Sequence, residues 1–419
     1  MITAGDMTIY VRAPITSASN RPITERILRF VLFITILSSA VVFIQPSPYE
    51  GLVSLLAIVY LIRGDAINRR VLPFIWLTLI WSLGGTLSVL PVLNHPDAVK
   101  AFGISIYLAA TGVLFACLFA QECEHRLSVM RNAYILTAVL SSIFGTAEYF
   151  RLIPGYDTFT WAERATSTFK DPNAYAPFLV LPLLFLVQTI VVRRATLRYL
   201  LATTVVILGL LLTFSRGGLS NFLFSATVML TMIFLTTNSS RIRTRTLVAP
   251  LIVAVIGVAV MVSLLSSDTF AQLASQRTSL LQNYDTGESG RFGIQLRSLP
   301  LLLDHPNGLG PEQFGAVFYY AVHNTYLTAF SAYGWLGGIA YFVLVLSTVV
   351  IGVRYCFLAS PVQDSLIPVT AAFFGLALEG FVIDTDHWRF FYLMAGTIWA
   401  LVAVAAKHRS ERSMVSPVF

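Results

Sequence analysis

The sequence predicts an all-α polytopic integral membrane protein of about twelve transmembrane helices, on three observations. Of 419 residues, 56% are hydrophobic and only 12% charged, whereas a soluble domain carries about a quarter charged residues. Such a chain cannot cover a globular surface with polar side chains. Twelve apolar runs recur along it, most near the ~20 residues that a helix needs to cross a hydrocarbon core. The basic residues sit in short segments between those runs, alternating in density from one side to the other, as membrane topology requires.

The runs lie near 28–45, 49–62, 72–92, 100–120, 132–150, 174–192, 198–214, 218–236, 247–265, 326–353, 364–382 and 389–406. They define one transmembrane domain, 28–406, between an N-terminal tail at 1–27 and a C-terminal tail at 407–419. The second run is short. The tenth is long enough to tilt, break, or begin as a half-helix along the interface. Two connections are long: 151–173, between the fifth and sixth runs, and 266–322, between the ninth and tenth. The larger holds the turn-forming stretches "YDTGESGRFG" and "DHPNGLGPEQFG" around a short helix expected at 291–303. On that helix Leu296, Leu299 and Leu303 form an apolar stripe suited to a membrane cap, and Pro300 predicts a kink or an end near Leu299. The polar N-terminus is not followed by a small-residue cleavage site, which predicts an uncleaved first helix.

With both termini inside, nineteen of the 28 lysines and arginines fall on the inner side. This asymmetry predicts cytoplasmic termini. The outer side keeps Lys100, Arg151, Arg164, Lys170, Arg216, Arg277, Arg291, Arg297 and Arg389. These work against the topology rule and need another reason to be there. The net charge of +7 is dispersed among loops, so it does not predict a nucleic-acid partner. Cys117, Cys123 and Cys356 have no metal-site spacing, and neither a disulfide nor a metal is expected of them.

Several outer segments combine residues that carry chemistry. "LLTFSRGGLSNF" (211–222) forces a tight reversal that holds Arg216 at the outer face. Gly217 and Gly218 would open the next helix, where unpaired N–H groups favour an anion. Arginine beside such a helix start makes a phosphate clamp; the structural alternative is a snorkelling arginine. Arg291 begins the amphipathic stretch of the long loop and, taken alone, is more readily a solvated loop residue. His323 and Asn324 open the tenth run in "AVHNTYLTAF" (321–330). A neutral imidazole can take a proton from a hydroxyl, although a lone histidine at a helix start is more commonly interfacial. Asn324 is read as a helix-start residue near the site. "RATSTFKDPNAYAPF" (164–178) adds Arg164 and Lys170 before a helix start at Asp171-Pro172. "DTDHWRFF" (384–391) adds Arg389 at the last outer turn. Its Asp384 and Asp386 have the form of a D-x-D metal pair, but a structural or acceptor-binding turn with an interfacial Trp388 fits an outer location better.

Three of these elements, "TFSRGGLSNFL" (213–223), "GRFGIQLRSLPLLLDHPNGLGPEQF" (290–314) and "HNTYLTAFSAYGWLGG" (323–338), together with "RATSTFKDPNAYAPF", resemble in order and spacing the O-antigen ligase/polymerase family of bacterial inner-membrane glycosyltransferases. The resemblance covers about residues 160–355. It implies a metal-independent, cofactor-free, inverting transfer of a glycan from undecaprenyl pyrophosphate to a sugar hydroxyl at the periplasmic face. The acceptor would be lipid A-core or a growing polysaccharide. Carried over by motif, Arg216 and Arg291 would hold the pyrophosphate and His323 would act on the acceptor. Arg164, Lys170, Gly217, Gly218, Asn324 and Arg389 would contribute to substrate binding. The ending "EGFVIDTDHWRFFYLMAGTIWAL" and "FKDPNAYAPFL" look closer to exopolysaccharide-polymerase-type members. The rival classes are a polytopic transporter and a non-catalytic partner in polysaccharide export. Against the former, the long loop is placed outside and the two halves show no relation.

Overall fold

A computed structural model describes residues 21–155, 160–161, 163–193, 196–265, 287, 290–318 and 321–415. Most of the N-terminal tail with Arg12, Arg194, the centre of the long loop with Arg277, and the last four residues lie outside these.

Among the described residues, helices α1 (Arg21–Ser38), α2 (Pro48–Arg63), α3 (Leu72–Val89), α4 (Pro96–Phe119) and α5 (Cys123–Tyr149) precede a two-stranded hairpin of β1 (Thr160–Trp161) and β2 (Arg164–Ala165). Then follow α6 (Pro172–Val192), α7 (Leu197–Leu212), α8 (Arg216–Thr236) and α9 (Ser240–Leu265). The chain continues with α10 (Arg291–Asp304), α11 (Phe314–Phe318), α12 (Thr325–Cys356), α13 (Gln363–Glu379) and α14 (Arg389–Val415). A helix therefore covers each of the twelve apolar runs, and α10 occupies the segment expected for the loop helix. The all-α polytopic class holds. By length and apolarity eight helices among the described residues can cross a membrane; α1, α2, α7 and α13 fall short by those measures.

Sequence chemistry fixes the helix starts. Ser47 caps α2 in a reciprocal box with Glu50, and Asp171 caps α6 by accepting from the Asn173 N–H at 2.8 Å, with Pro172 at the first helical position. Helices α6 and α14 form the centre of the bundle, 94% and 83% buried over their most apolar stretches. Helix α9, only 11% buried, presents its apolar sides outward, as a lipid-facing helix does.

At the end of the bundle away from the Arg216 turn, α1, α2 and α5 are joined by an ion network. The fully buried Arg126 donates to both carboxylate oxygens of Glu25 (3.2 and 2.7 Å) and to the Leu118 carbonyl (2.8 Å), and Arg63 reaches Glu25 at 2.9 Å. Two cations that the sequence assigns to inner-side topology are thus also structural partners. Removing one member of such a buried network costs about 3–5 kcal/mol.

The tenth run breaks, as its length allows. Within α12, Gly334 has φ +66° and ψ −174°, so two helical pieces meet at a kink. The loop after α10 fills it. The Trp335 N–H donates to the Pro306 carbonyl at 2.8 Å, the Trp335 indole donates to the Leu302 carbonyl at 2.8 Å, and the Leu309 N–H donates to Ser331 O at 2.8 Å. A Cβ on Gly334 would stand 2.7 Å from the Asn307 carbonyl carbon. This plug fixes α10 against α12. Of the two outcomes expected at Pro300, an end near Leu299 does not occur: α10 runs through Pro300 to Asp304, close to the 291–303 helix expected. The last turn is held from outside: the Trp335 indole donates to the Leu302 carbonyl, one of the terminal carbonyls that the helix itself leaves without a donor. Leu296, Leu299 and Leu303 form the exposed stripe of α10, while Ile294, Ser298 and Leu302 face inward.

Candidate active site

One end of the bundle encloses a cavity of about 1450 Å³. Its wall gathers residues from distant parts of the chain: Arg164, Lys170, Arg216, Gly217, Arg291, His323 and Arg389 all line it. Phe214, Phe224, Leu378 and Val382 supply apolar surface.

The α7–α8 turn that presents Arg216 is built locally. Phe214 takes a left-handed conformation (φ +48°), the Ser215 N–H donates to Thr213 Oγ1 at 3.2 Å, and Ser215 Oγ caps α8 by accepting from the Gly218 N–H at 3.2 Å. Buried Arg164 holds this turn from the hairpin. Its Nε donates to the Thr213 carbonyl at 2.7 Å and its Nη2 to Asn173 Oδ1 at 2.8 Å, joining the turn to the start of α6. Packing requires glycine at 218, whereas Gly217 faces the tip of a glutamate side chain. A Cβ on Gly217 would lie 2.8 Å from Glu379 Oε1, and one on Gly218 would lie 2.3 Å from the Ala176 Cβ. Gly218 does not line the cavity, and Ser215 already takes its N–H, so the expected anion contact does not extend to it.

Arg291 starts α10, and Gln295 follows one turn later on the same face. The Gln295 side-chain amide donates to the carbonyls of His323 (3.1 Å) and Phe381 (3.3 Å). This pins the start of α10 beside His323 and the loop after α13. His323 adopts φ +49°, directly before the Asn324 cap of α12. Asn324 Oδ1 accepts from the Tyr326 and Leu327 N–H groups at 3.1 and 3.2 Å, and its Nδ2 donates to the Phe381 carbonyl at 3.1 Å. Buried and fully engaged, Asn324 stands behind the wall and not in it.

His323 Nδ1 lies 3.9 Å from Asp384 Oδ2, with the two side chains 48% and 30% exposed. Burial, reinforced by the nearby Arg291 cation and opposed by Asp171, holds the imidazole below its ordinary pKa. Asp384 is pushed up to about 6, by burial first and by Asp386 second. The Thr328 hydroxyl, at 2.6 Å from Asp384 Oδ1, works the other way. A neutral imidazole near the Arg291 cation, on a cavity that Arg216 also lines, is competent to accept a proton.

Arg389 is bound within the protein: it pairs with Glu50, donates to the Val41 carbonyl at 3.1 Å and covers the Tyr49 ring at 4.9 Å. It ties α14 to α2 at the cavity rim. Lys170 is exposed at the wall.

The sequence did not single out Glu379. This carboxylate, 6% exposed, lines the cavity and accepts from Asn221 Nδ2 at 2.7 Å; Asn221 Oδ1 in turn accepts from Ser225 Oγ at 2.9 Å. Its only signal in the sequence is a single acid closing an otherwise apolar run, "GLALEGF".

Residues 200–342 match the family model described as O-antigen ligase. That segment holds Arg216, Arg291 and His323; Arg164, Lys170, Glu379, Asp384 and Arg389 lie outside it. No curated protein matches the chain.

Proposed function

We propose that this membrane protein, which carries an O-antigen ligase-family segment at residues 200–342, is a glycosyltransferase of the bacterial inner membrane that works at the periplasmic face. It has twelve crossings and cytoplasmic termini. Its donor is a glycan on undecaprenyl pyrophosphate, and its acceptor is a sugar hydroxyl on lipid A-core or on a growing polysaccharide. The observation that supports this most strongly is the gathering of Arg216, Arg291 and His323 on one cavity from three segments of the chain.

In this reading the pyrophosphate sits between Arg216 and Arg291, whose charges neutralise the leaving diphosphate as it departs. His323 takes the proton of the acceptor hydroxyl as its oxygen bonds to the anomeric carbon. The bond from that carbon to the phosphate oxygen breaks, and undecaprenyl pyrophosphate leaves. A single displacement inverts the anomeric centre. The transfer draws its driving force from the pyrophosphate ester and uses no metal. Arg164 acts through the turn it braces, Lys170 adds positive potential at the rim, and the apolar wall takes the start of the lipid tail.

Purified protein supplied with lipid-linked repeat units, with and without lipid A-core, tests the assignment. Elongated lipid-linked chains identify a polymerase, and glycan moved to the core identifies a ligase. The "FKDPNAYAPFL" and "EGFVIDTDHWRFF" stretches favour the former. Absence of both products from active-site-intact protein contradicts the proposal.

A further inference from the structure

His387 is a second histidine on the cavity wall, and a buried hydrogen-bond chain determines which of its nitrogens faces the protein. Its Nε2 lies 2.9 Å from Ser105 Oγ on α4. Ser105 Oγ is 2.8 Å from the Tyr333 hydroxyl on α12, which donates to Asp386 Oδ2 at 3.3 Å. The protons along this chain have one consistent placement. Tyr333 gives its proton to the Asp386 carboxylate. The 2.8 Å contact between Ser105 and Tyr333 then takes the Ser105 proton, which goes to the Tyr333 oxygen. This leaves Ser105 Oγ as an acceptor toward His387. Asp386 Oδ2, at 4.0 Å from the same ring nitrogen, favours a proton there as well. This chain places a hydrogen on His387 Nε2, so that in the neutral ring Nδ1 is the acceptor.

The segment that carries it is rigid. The Thr385 N–H donates to Thr325 Oγ1 at 2.6 Å, and the Tyr392 hydroxyl donates to the Asp386 carbonyl at 2.6 Å. Next in the chain, Trp388 also lines the cavity, its ring 5.3 Å from that of Phe390. An aromatic ring beside a ring-nitrogen acceptor suits a ligand with both C–H faces and hydroxyl groups. Arginine clamps would serve a diphosphate instead.

We propose that His387 and Trp388 form a sugar-binding subsite, in which His387 Nδ1 accepts a hydrogen bond from a hydroxyl of a neutral glycan and Trp388 packs against its ring. The subsite rests on the reading of the cavity as a glycosyl-transfer site. It is separate from the Arg216–Arg291 pole and determines how the sugar is held, not how the diphosphate is bound.

The test titrates detergent-purified protein with phosphate-free oligosaccharides, released by mild acid from the host's surface polysaccharide, followed by saturation-transfer NMR. Undecaprenyl pyrophosphate is titrated separately. His387→Phe and Trp388→Ala should each weaken saccharide binding about 5–10-fold, the effect of losing one good contact, with undecaprenyl pyrophosphate affinity unchanged. His387→Gln, which restores one donor and one acceptor, should stay within about 2-fold of wild type. In Ser105→Ala the ¹⁵N resonances of His387 should move from the Nε2–H tautomer toward a mixture, a change that a purely structural role does not produce. Should His387→Phe fail to fold, Trp388→Ala carries the binding test. Saccharide binding unaltered in both variants, or absent from wild type, overturns the subsite. Saccharide binding that depends on both residues, in a protein that transfers no glycan, upholds the subsite and instead contradicts the glycosyltransferase reading.

Discussion

His323 Nδ1 stands 3.9 Å from Asp384 Oδ2, and the other oxygen of that carboxylate receives the Thr328 hydroxyl at 2.6 Å. An imidazole held below its usual pKa therefore faces a carboxyl held above its own, at the mouth of α12. The base needed for transfer is the neutral imidazole, which predominates above its pKa. The acid limb of the rate profile should accordingly fall below the ordinary histidine value of about 6.5. Asp384, with its pKa raised to about 6, loses its charge over a neighbouring range as pH falls.

Arg291 provides the sharper pH prediction. Its cation lowers the His323 pKa, so Arg291→Gln should let that pKa rise and shift protonation of His323 to higher pH. NMR titration of the His323 ring in the variant and in wild type measures this directly. A pKa that stays put or falls would show that Arg291 does not act electrostatically on His323.

Gly217 and Glu379 form a second testable pair. Gly217→Ala places a methyl 2.8 Å from Glu379 Oε1, so the carboxylate must swing aside and disturb its bond from Asn221, at a cost of about 1 kcal/mol. Thermal unfolding in detergent should show the loss, and product formation should fall with it as the Arg216 turn shifts. Shortening the partner in the double variant Gly217→Ala/Glu379→Ala should relieve the clash. Glu379→Ala should therefore cost less when Gly217→Ala is already present than it does in wild type. Strict additivity would mean that the two residues do not press on each other.

The kink at Gly334 makes a prediction away from the chemistry. Gly334→Ala must adopt φ +66° and meets the Asn307 carbonyl at 2.7 Å. It should lose about 1–3 kcal/mol of stability. Because the loop in the kink also fixes α10, the variant should weaken undecaprenyl pyrophosphate binding through Arg291 more than a lipid-facing substitution such as Val258→Ala does. Equal affinities in the two variants would remove the plug from the account.

Legibility in the sequence followed burial chemistry. The apolar runs and the caps at Asp171 and Asn324 determine local structure, so helix positions could be read directly. Arg216 and Arg291 stood out because cations assigned to the outer side run against the positive-inside rule; His323 stood out through its flanking elements and the family resemblance. The break in α12 was allowed by length alone; its location depends on residues 306–310 docking at Gly334, a contact across the fold that no local pattern encodes. Glu379 was missed for a similar reason. A single acid at a helix end reads as interfacial until Asn221 and Gly217, more than 150 positions earlier, are seen to enclose it. Gly218 and Asn324 were expected at the substrate and lie behind the wall, because sequence proximity to Arg216 and His323 does not determine which way a helix start turns.

The most direct test is a single-turnover transfer assay in proteoliposomes, using a lipid-pyrophosphate-linked repeat unit and an acceptor glycan, with wild type compared with His323→Ala. The variant should insert normally, bind undecaprenyl pyrophosphate as wild type does, and transfer glycan about 10²–10⁴-fold more slowly, the range expected for loss of a general base. Transfer by His323→Ala at the wild-type rate would contradict that role.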